Sequence, residues 1–284
     1  MGTDELETPV PVVDIDRMEA NITRLQTYLD EHKIANRPHI KTHKIPAIAK
    51  LQMDAGAVGI TCQKVSEAEV MAEAGFNDIF IPYNIVGETK LKRLMALASR
   101  IKVSVTADSA VVVHGLSRAA QQADLTLTVL VECDTGAHRC GVPSPSEAAE
   151  LARLIASLPN LHFGGLMTYP TNETLDDFVR ATRSLLKDDS LSIERVSGGG
   201  TPGMWQVHTH PELTEHRAGI YVYGDRISLR AGAMTLDTCA LRIFATVVSR
   251  PTPERGILDA GSKTLSSDLH GLEEIGRASC RERV

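Results

Sequence analysis

"AVGITCQKVSEAEVMAEAG", residues 57–75, holds two different patterns back to back. Ala57–Cys62 is a short apolar run without a polar face. From Val65 onward apolar side chains recur at helical spacing, and Gly75 stands where such a helix would stop. A short strand without alternation reads as buried on both faces, which happens when helices cover a parallel sheet.

The same strand-then-helix unit recurs on both sides. Toward the N-terminus, "VPVVDID" (10–16) is β-like and "DRMEANITRLQTYLDEH" (16–32) is helical. "RPHIKTH" (37–43) then leads into "IPAIAKLQMDAG" (45–56). Downstream, the strand-like runs are "DIFIPYNI" (78–85), "IKVSVTA" (101–107), "LTLTVLVECD" (125–134), "LHFGGLMTYP" (161–170) and "RVSGGGTPG" (195–203). Helical runs separate them at 88–99, 110–122, 144–157 and 174–187. "RAGIYVYGD" (217–225) supplies one more strand-like piece. About eight βα units predict an α/β fold, a (β/α)8 TIM-like barrel; an open doubly wound sheet is the alternative. From about Ile227 the pattern becomes successive strands without helices. The expected organisation is a barrel over 1–226, its first strand shared with the β-domain in one version, and an incomplete β-rich domain over 227–273. The last stretch, "EIGRASCRERV" (274–284), has three arginines and no apolar periodicity. One back-translation of it reproduces a common sequencing adapter, so it is expected to be read-through, with the natural chain continuing past Glu273.

Composition narrows the function classes. The net charge of −6 argues against a general nucleic-acid or anionic-membrane binder, although a local cluster can still take one small anion. No apolar run reaches membrane-spanning length. The acidic start "MGTDELETPV" lacks the basic and apolar regions of a secretory signal. Cys62, Cys133, Cys140, Cys239 and Cys280 are scattered and form no C-x-x-C pair. Reduced thiols in a cytoplasmic protein are the expectation.

Chemistry concentrates in "RPHIKTHK" (37–44), which packs five basic side chains into eight positions. Read as a strand, it sends Arg37, His39, Lys41 and His43 to one side. The inward face near a strand's carboxyl end is the usual catalytic position of a barrel. A lysine held there among cations has a lowered pKa and becomes an amine nucleophile, suited to a Schiff base with an aldehyde cofactor. A solvated basic loop is the other reading. "SGGGTPG" (197–203) offers free backbone N–H groups to a phosphate, with Ser197 and Thr201 hydroxyls nearby; a plain turn is its alternative. "DTGAHRCGV" (134–142) sets Arg139 in a glycine-flanked loop, and "EHRAGIYVYGD" (215–225) sets Arg217 two residues before Gly219.

Together, "RPHIKTHK", "DTGAHRCGV", "GLMTYP" (165–170) and "SGGGTP" resemble the D-threonine aldolase and D-serine dehydratase family, among the alanine-racemase-like, fold-type III pyridoxal-phosphate enzymes. The resemblance runs from "TPVPVVDIDRMEANI" to "LDAGSKTLSSD". It implies that Lys41 carries pyridoxal 5′-phosphate and that Arg139 lies near the cofactor's phenolic oxygen. It places Ser197, Gly199, Gly200, Thr201, Gly219 and Ile220 around the phosphate and Arg217 at the pyridine nitrogen. His39 and His43 would orient groups or shuttle protons, or simply pack. Tyr169 would pack by the cofactor or present its hydroxyl to substrate, or be a plain rim aromatic.

The implied activity is a lyase acting on a D-β-hydroxy amino acid, D-threonine aldolase first. A D-serine or 3-hydroxyaspartate dehydratase, an amino-acid racemase and a non-catalytic cofactor carrier are the alternatives. A divalent metal, Mn or Zn in type, is expected only in the complete protein, and no ligand to it is assigned in this chain. A homodimer is expected when the protein is complete. The "HTHPELTEH" cluster (208–216) reads as surface or structural rather than metal-binding.

Overall fold

The computed structural model describes residues 6–261 and 264–265. After β1 (Val10–Val13), the chain alternates strands and helices. It runs α1 (Ile15–Glu31), β2 (Ala35–Asn36), α2 (Pro46–Asp54), β3 (Ile60–Thr61), α3 (Val65–Glu73), β4 (Asp78–Ile81) and α4 (Glu88–Ala98). Then come β5 (Lys102–Ala107), α5 (Ala110–Gln122), β6 (Leu127–Cys133), α6 (Pro145–Ser157), β7 (Leu161–Thr168), α7 (Leu175–Leu185), β8 (Arg195–Gly199) and β9 (Glu215–Arg217). The caps follow from sequence. Asp14 accepts the Arg17 N–H at the start of α1, and Ser144 accepts the Glu147 N–H at the start of α6. α1 then buries Met18, Ile22, Leu25 and Leu29, one stripe at helical spacing.

Eight strands pair in parallel in the order β2-β9-β8-β7-β6-β5-β4-β3. The two ends of that order also meet. His39 bridges Thr61 in parallel, and the Thr61 N–H donates to Pro38 O at 2.8 Å. The sheet is therefore a closed barrel, and the open doubly wound alternative is excluded.

The barrel interior is layered. Phe80, Leu130 and Met167 form an apolar layer across it. At the amino ends of the strands, Arg37 Nε donates to Glu215 Oε2 and its Nη1 to Asp78 Oδ1, both at 2.6 Å, while Arg195 Nη1 lies 3.6 Å from Glu215. Burial pushes the Glu215 carboxyl up, but Arg37 and Arg195 outweigh it and hold the group below its ordinary range. Gly165 marks a tight crossing between β7 and β8. Its φ is +126°, and a Cβ there would stand 2.0 Å from Arg195 O. Gly165→Ala is expected to lower the thermal midpoint by about 5 °C or more, read by calorimetry; an unchanged midpoint would show that β8 yields at this point.

Three local readings are corrected. "RPHIKTHK" is not a strand beyond Asn36, because residues 40–42 form a 3-10 turn. Its side chains therefore diverge instead of sharing one face. "IYVY" is not a strand either: Ile220–Val222 is a second 3-10 turn that buries Tyr221 and Val222. The segment from Ile227 opens on a helix, α8 (Arg226–Arg230), because Asp225 caps it by accepting from Ser228 N at 2.7 Å. Strands start later, with β10 (Leu241–Phe244), β11 (Val247–Thr252) and β12 (Arg255–Leu258). β10 pairs antiparallel with β1, and β11 with β12, so a small antiparallel unit adjoins the barrel. Glu274–Val284, expected to be read-through, lies outside the described residues. Among the described residues, no helix is long and apolar enough to cross a membrane.

Candidate active site

Lys41 sits in the 40–42 turn at the carboxyl end of the barrel. It is exposed at the mouth, yet its amine is held below the ordinary lysine range. Partial burial is the main cause, followed by Arg139 and Arg217, with Glu67 opposing. The cations that act on Lys41 thus arrive from β9 and the loop after β6, not from its neighbours in sequence. The two histidines are neutral. Burial pushes His43 down to about 4 and His39 well below its ordinary value, with Lys41 and Arg217 adding to the effect on His39.

Each histidine is fixed by the same device. His39 Nδ1 accepts the Lys41 N–H at 3.4 Å, and its Nε2 lies 3.2 Å from Gln63 Oε1. His43 Nδ1 accepts the Ile45 N–H at 3.0 Å, and its Nε2 lies 3.3 Å from Gln52 Oε1. With Nδ1 accepting, the single ring proton belongs on Nε2, where it is donated to glutamine. Both nitrogens of both rings are engaged. That arrangement orients the turn.

Tyr169 links the cations. Its ring lies 5.8 Å from Lys41 Nζ and 4.9 Å from Arg139 Cζ, within cation–π range. The same ring covers the glycine loop: a Cβ on Gly199 would stand 3.3 Å from Tyr169 Cδ2. Thr171 holds this loop by donating its N–H to Gly199 O and accepting the Gly199 N–H, at 2.9 and 2.8 Å. At Gly200 φ is +117°, a conformation open to glycine. Thr201 follows, 3% exposed, with its Oγ1 unpaired. Gly219 packs against the lysine turn, since a Cβ there would lie 3.0 Å from both His39 O and Thr42 Oγ1. The turn it opens, Ile220–Val222, has no side-chain cap. An unpaired buried hydroxyl, a glycine loop and an uncapped turn together suit an anionic group.

Arg217 lies against the glycine loop, where a Cβ on Gly199 would stand 3.3 Å from its Nη2, and Ser197 braces it. The Ser197 hydroxyl is fully buried, donating to Glu215 Oε1 and accepting from Arg217 Nη1, both at 2.6 Å. β8 turns it into the barrel, so it braces Arg217 and does not face Thr201. Arg217 Nη2 also donates to Thr168 O at 3.0 Å. Burial draws its pKa down to about 10, against Glu215 and Glu132. Arg217 therefore stays charged at neutral pH beneath Lys41 and Tyr169.

Glu132 was not singled out from sequence. It is 2% exposed, and its Oε2 is unpaired. Its Oε1 accepts from the Cys140 thiol at 2.9 Å and lies 3.9 Å from Arg139 Nη2. Burial raises its pKa, with Cys140 and Arg139 opposing. The sequence signal was a lone acid inside the apolar run "LTVLVEC". Gln52, Gln63 and Glu67 had no signal, because each is one polar residue in an ordinary βα unit. The "HTHPELTEH" histidines do not converge. His208 contacts Tyr28 Oη, His210 contacts Asp176, and the His216 ring is fully buried beside the Gly200 backbone. His270 lies outside the described residues.

Comparison with known proteins covers nearly the whole chain. The profile of the alanine racemase N-terminal domain matches residues 13–227, and that of a serine dehydratase domain matches 240–283. A D-threonine aldolase from Arthrobacter sp. is 37% identical over 93% of this chain and 74% of its own length. A 3-hydroxy-D-aspartate aldolase from Paracoccus denitrificans is 31% identical over 99% of this chain and 80% of its own. The crystal structure of a D-threonine aldolase from Filomicrobium marinum superposes with a TM-score of 0.85, at 33% identity, over 93% of this chain and 76% of that one.

Proposed function

The chain belongs to the alanine racemase N-terminal domain family, and on that premise we propose that it is a pyridoxal-phosphate-dependent lyase cleaving D-threonine to glycine and acetaldehyde. The observation that carries this reading is the convergence of Lys41, Arg139, Tyr169 and Arg217 on the glycine loop beside the unpaired Thr201 hydroxyl.

The residues fit the cofactor. Lys41 Nζ would hold its aldehyde carbon, since a lowered pKa keeps more of the amine uncharged at neutral pH. Thr201 Oγ1, the Gly199–Gly200 loop and the uncapped Gly219–Ile220 turn would hold its phosphate. Arg139 would lie toward the phenolic oxygen and Arg217 toward the ring nitrogen. Bound there, pyridoxal phosphate supplies the electron sink that weakens bonds at the substrate's Cα. The chain's own part is to hold and orient. Tyr169 shields one side of the site and positions two cations. Glu132 keeps Arg139 near the mouth, and Ser197 keeps Arg217 upright. The family resemblance also implies a divalent metal, and no residue of this chain is assigned to it.

A dehydratase is the second reading, favoured by the serine dehydratase match over 240–283. In it, Lys41 Nζ takes the Cα proton before the β-hydroxyl departs. Products separate the two. Incubated with pyridoxal phosphate, a divalent metal and D-threonine, the protein is expected to release glycine and acetaldehyde in equal amounts. A 2-oxo acid with ammonia would instead establish the dehydratase, and neither pair would overturn the lyase reading for this chain.

A further inference from the structure

Gln52 is a glutamine on the inner face of α2 with no solvent exposure. A primary amide so placed is destabilising unless both of its ends are bonded. Both are. Its Oε1 faces His43 Nε2 at 3.3 Å, and its Nε2 donates to Tyr221 Oη at 2.9 Å. The direction is settled by the backbone. The Ile45 N–H occupies His43 Nδ1, so the ring proton is on Nε2 and the amide oxygen must face it. That leaves the amide nitrogen for the tyrosine. The chain of donors therefore runs His43 to Gln52 to Tyr221, and all three side chains are buried.

Its two ends belong to the two halves of the site. His43 closes the turn that carries Lys41, its N–H donating to Ile40 O at 3.1 Å. Tyr221 is the middle residue of the uncapped Ile220–Val222 turn. The backbones of these regions also touch, with the His39 N–H donating to Ala218 O at 2.8 Å. No sheet ladder joins the two turns themselves; the His43 and Tyr223 rings meet edge-on, and Gln52 hydrogen-bonds a side chain on each side.

We propose that Gln52 is a positioning residue that sets the distance between the lysine turn and the phosphate-side turn, so that one cofactor molecule meets both. The inference rests on the cofactor reading above. It is tested with the full chain and three variants: Gln52→Met, which keeps length and volume, Tyr221→Phe, and the double variant. Each is titrated with pyridoxal phosphate by visible absorbance, reduced with borohydride and mapped for a pyridoxyl group on Lys41. Thermal midpoints without cofactor are recorded alongside.

Gln52→Met is expected to weaken cofactor binding about tenfold or more, and Tyr221→Phe by a smaller factor. The double variant is expected to bind within about twofold of Gln52→Met, because the relay is already broken. A purely structural role would lower the midpoints and leave the affinity of folded protein unchanged, and that overturns the proposal. Fully additive losses overturn it as well. Should Gln52→Met fail to fold, Tyr221→Phe decides, an unchanged affinity counting against the relay. Wild-type protein that forms no Lys41 adduct would remove the cofactor reading first, and this inference with it.

Discussion

Lys41→Ala is expected to abolish the visible absorption band that pyridoxal phosphate gives with the wild-type protein, and to lower lyase turnover by at least about a thousandfold. The amine lies at the mouth, flanked by Arg139, Arg217 and Tyr169. The fold should not notice the change. Lys41 is exposed, and substitutions at such positions usually shift stability by no more than about 0.5 kcal/mol. A variant that unfolds normally but stays colourless therefore assigns the lysine to the cofactor. A variant that keeps the band would move the attachment point elsewhere and overturn the site.

The second large effect lies at the other end of the barrel. Glu215 is 2% exposed and serves Arg37, Arg195 and Ser197 together. Glu215→Ala leaves two arginines in the interior with Asp78 as the remaining acid beside Arg37. Removing one partner from a buried pair typically destabilises by about 3–5 kcal/mol. For a chain of this length that is a fall of about 10 °C in thermal midpoint. The pH dependence has a definite sign. The folded-state pKa of Glu215 is depressed, so its contribution is present above the ordinary carboxylate pKa and is lost as pH falls through the folded value. The midpoint gap between wild type and Glu215→Gln should therefore narrow in acid. A gap independent of pH would show that the carboxylate is not the source. Because Ser197 passes from Glu215 to Arg217, the alanine variant should also bind cofactor less well.

The barrel was legible because parallel strands covered on both sides need uninterrupted apolar runs. β6 and β7 each carry such a run, followed by an amphipathic helix. The misread pieces share one cause. "RPHIKTHK" and "IYVY" have strand-like composition but fold as 3-10 turns, since each must bend over the barrel mouth. Periodicity of two says which residues alternate in an extended chain and says nothing once the chain turns.

Sequence alone determined the chemistry types: a lysine among bases, two glycine-flanked arginines, a glycine loop and a tyrosine at a strand end. It also determined the order of the barrel units, because each unit is coded locally. Only the tertiary structure decided what those groups do to one another. Arg139 and Arg217 act on Lys41 from more than ninety positions away in the chain. Ser197 turned inward to Arg217 while Thr201 kept a free hydroxyl, and Glu132 and Gln52 entered the site from runs that look purely structural. Burial and charge act through distance in space, and barrel closure brings distant strand ends within a few ångströms, so no local pattern carries that information.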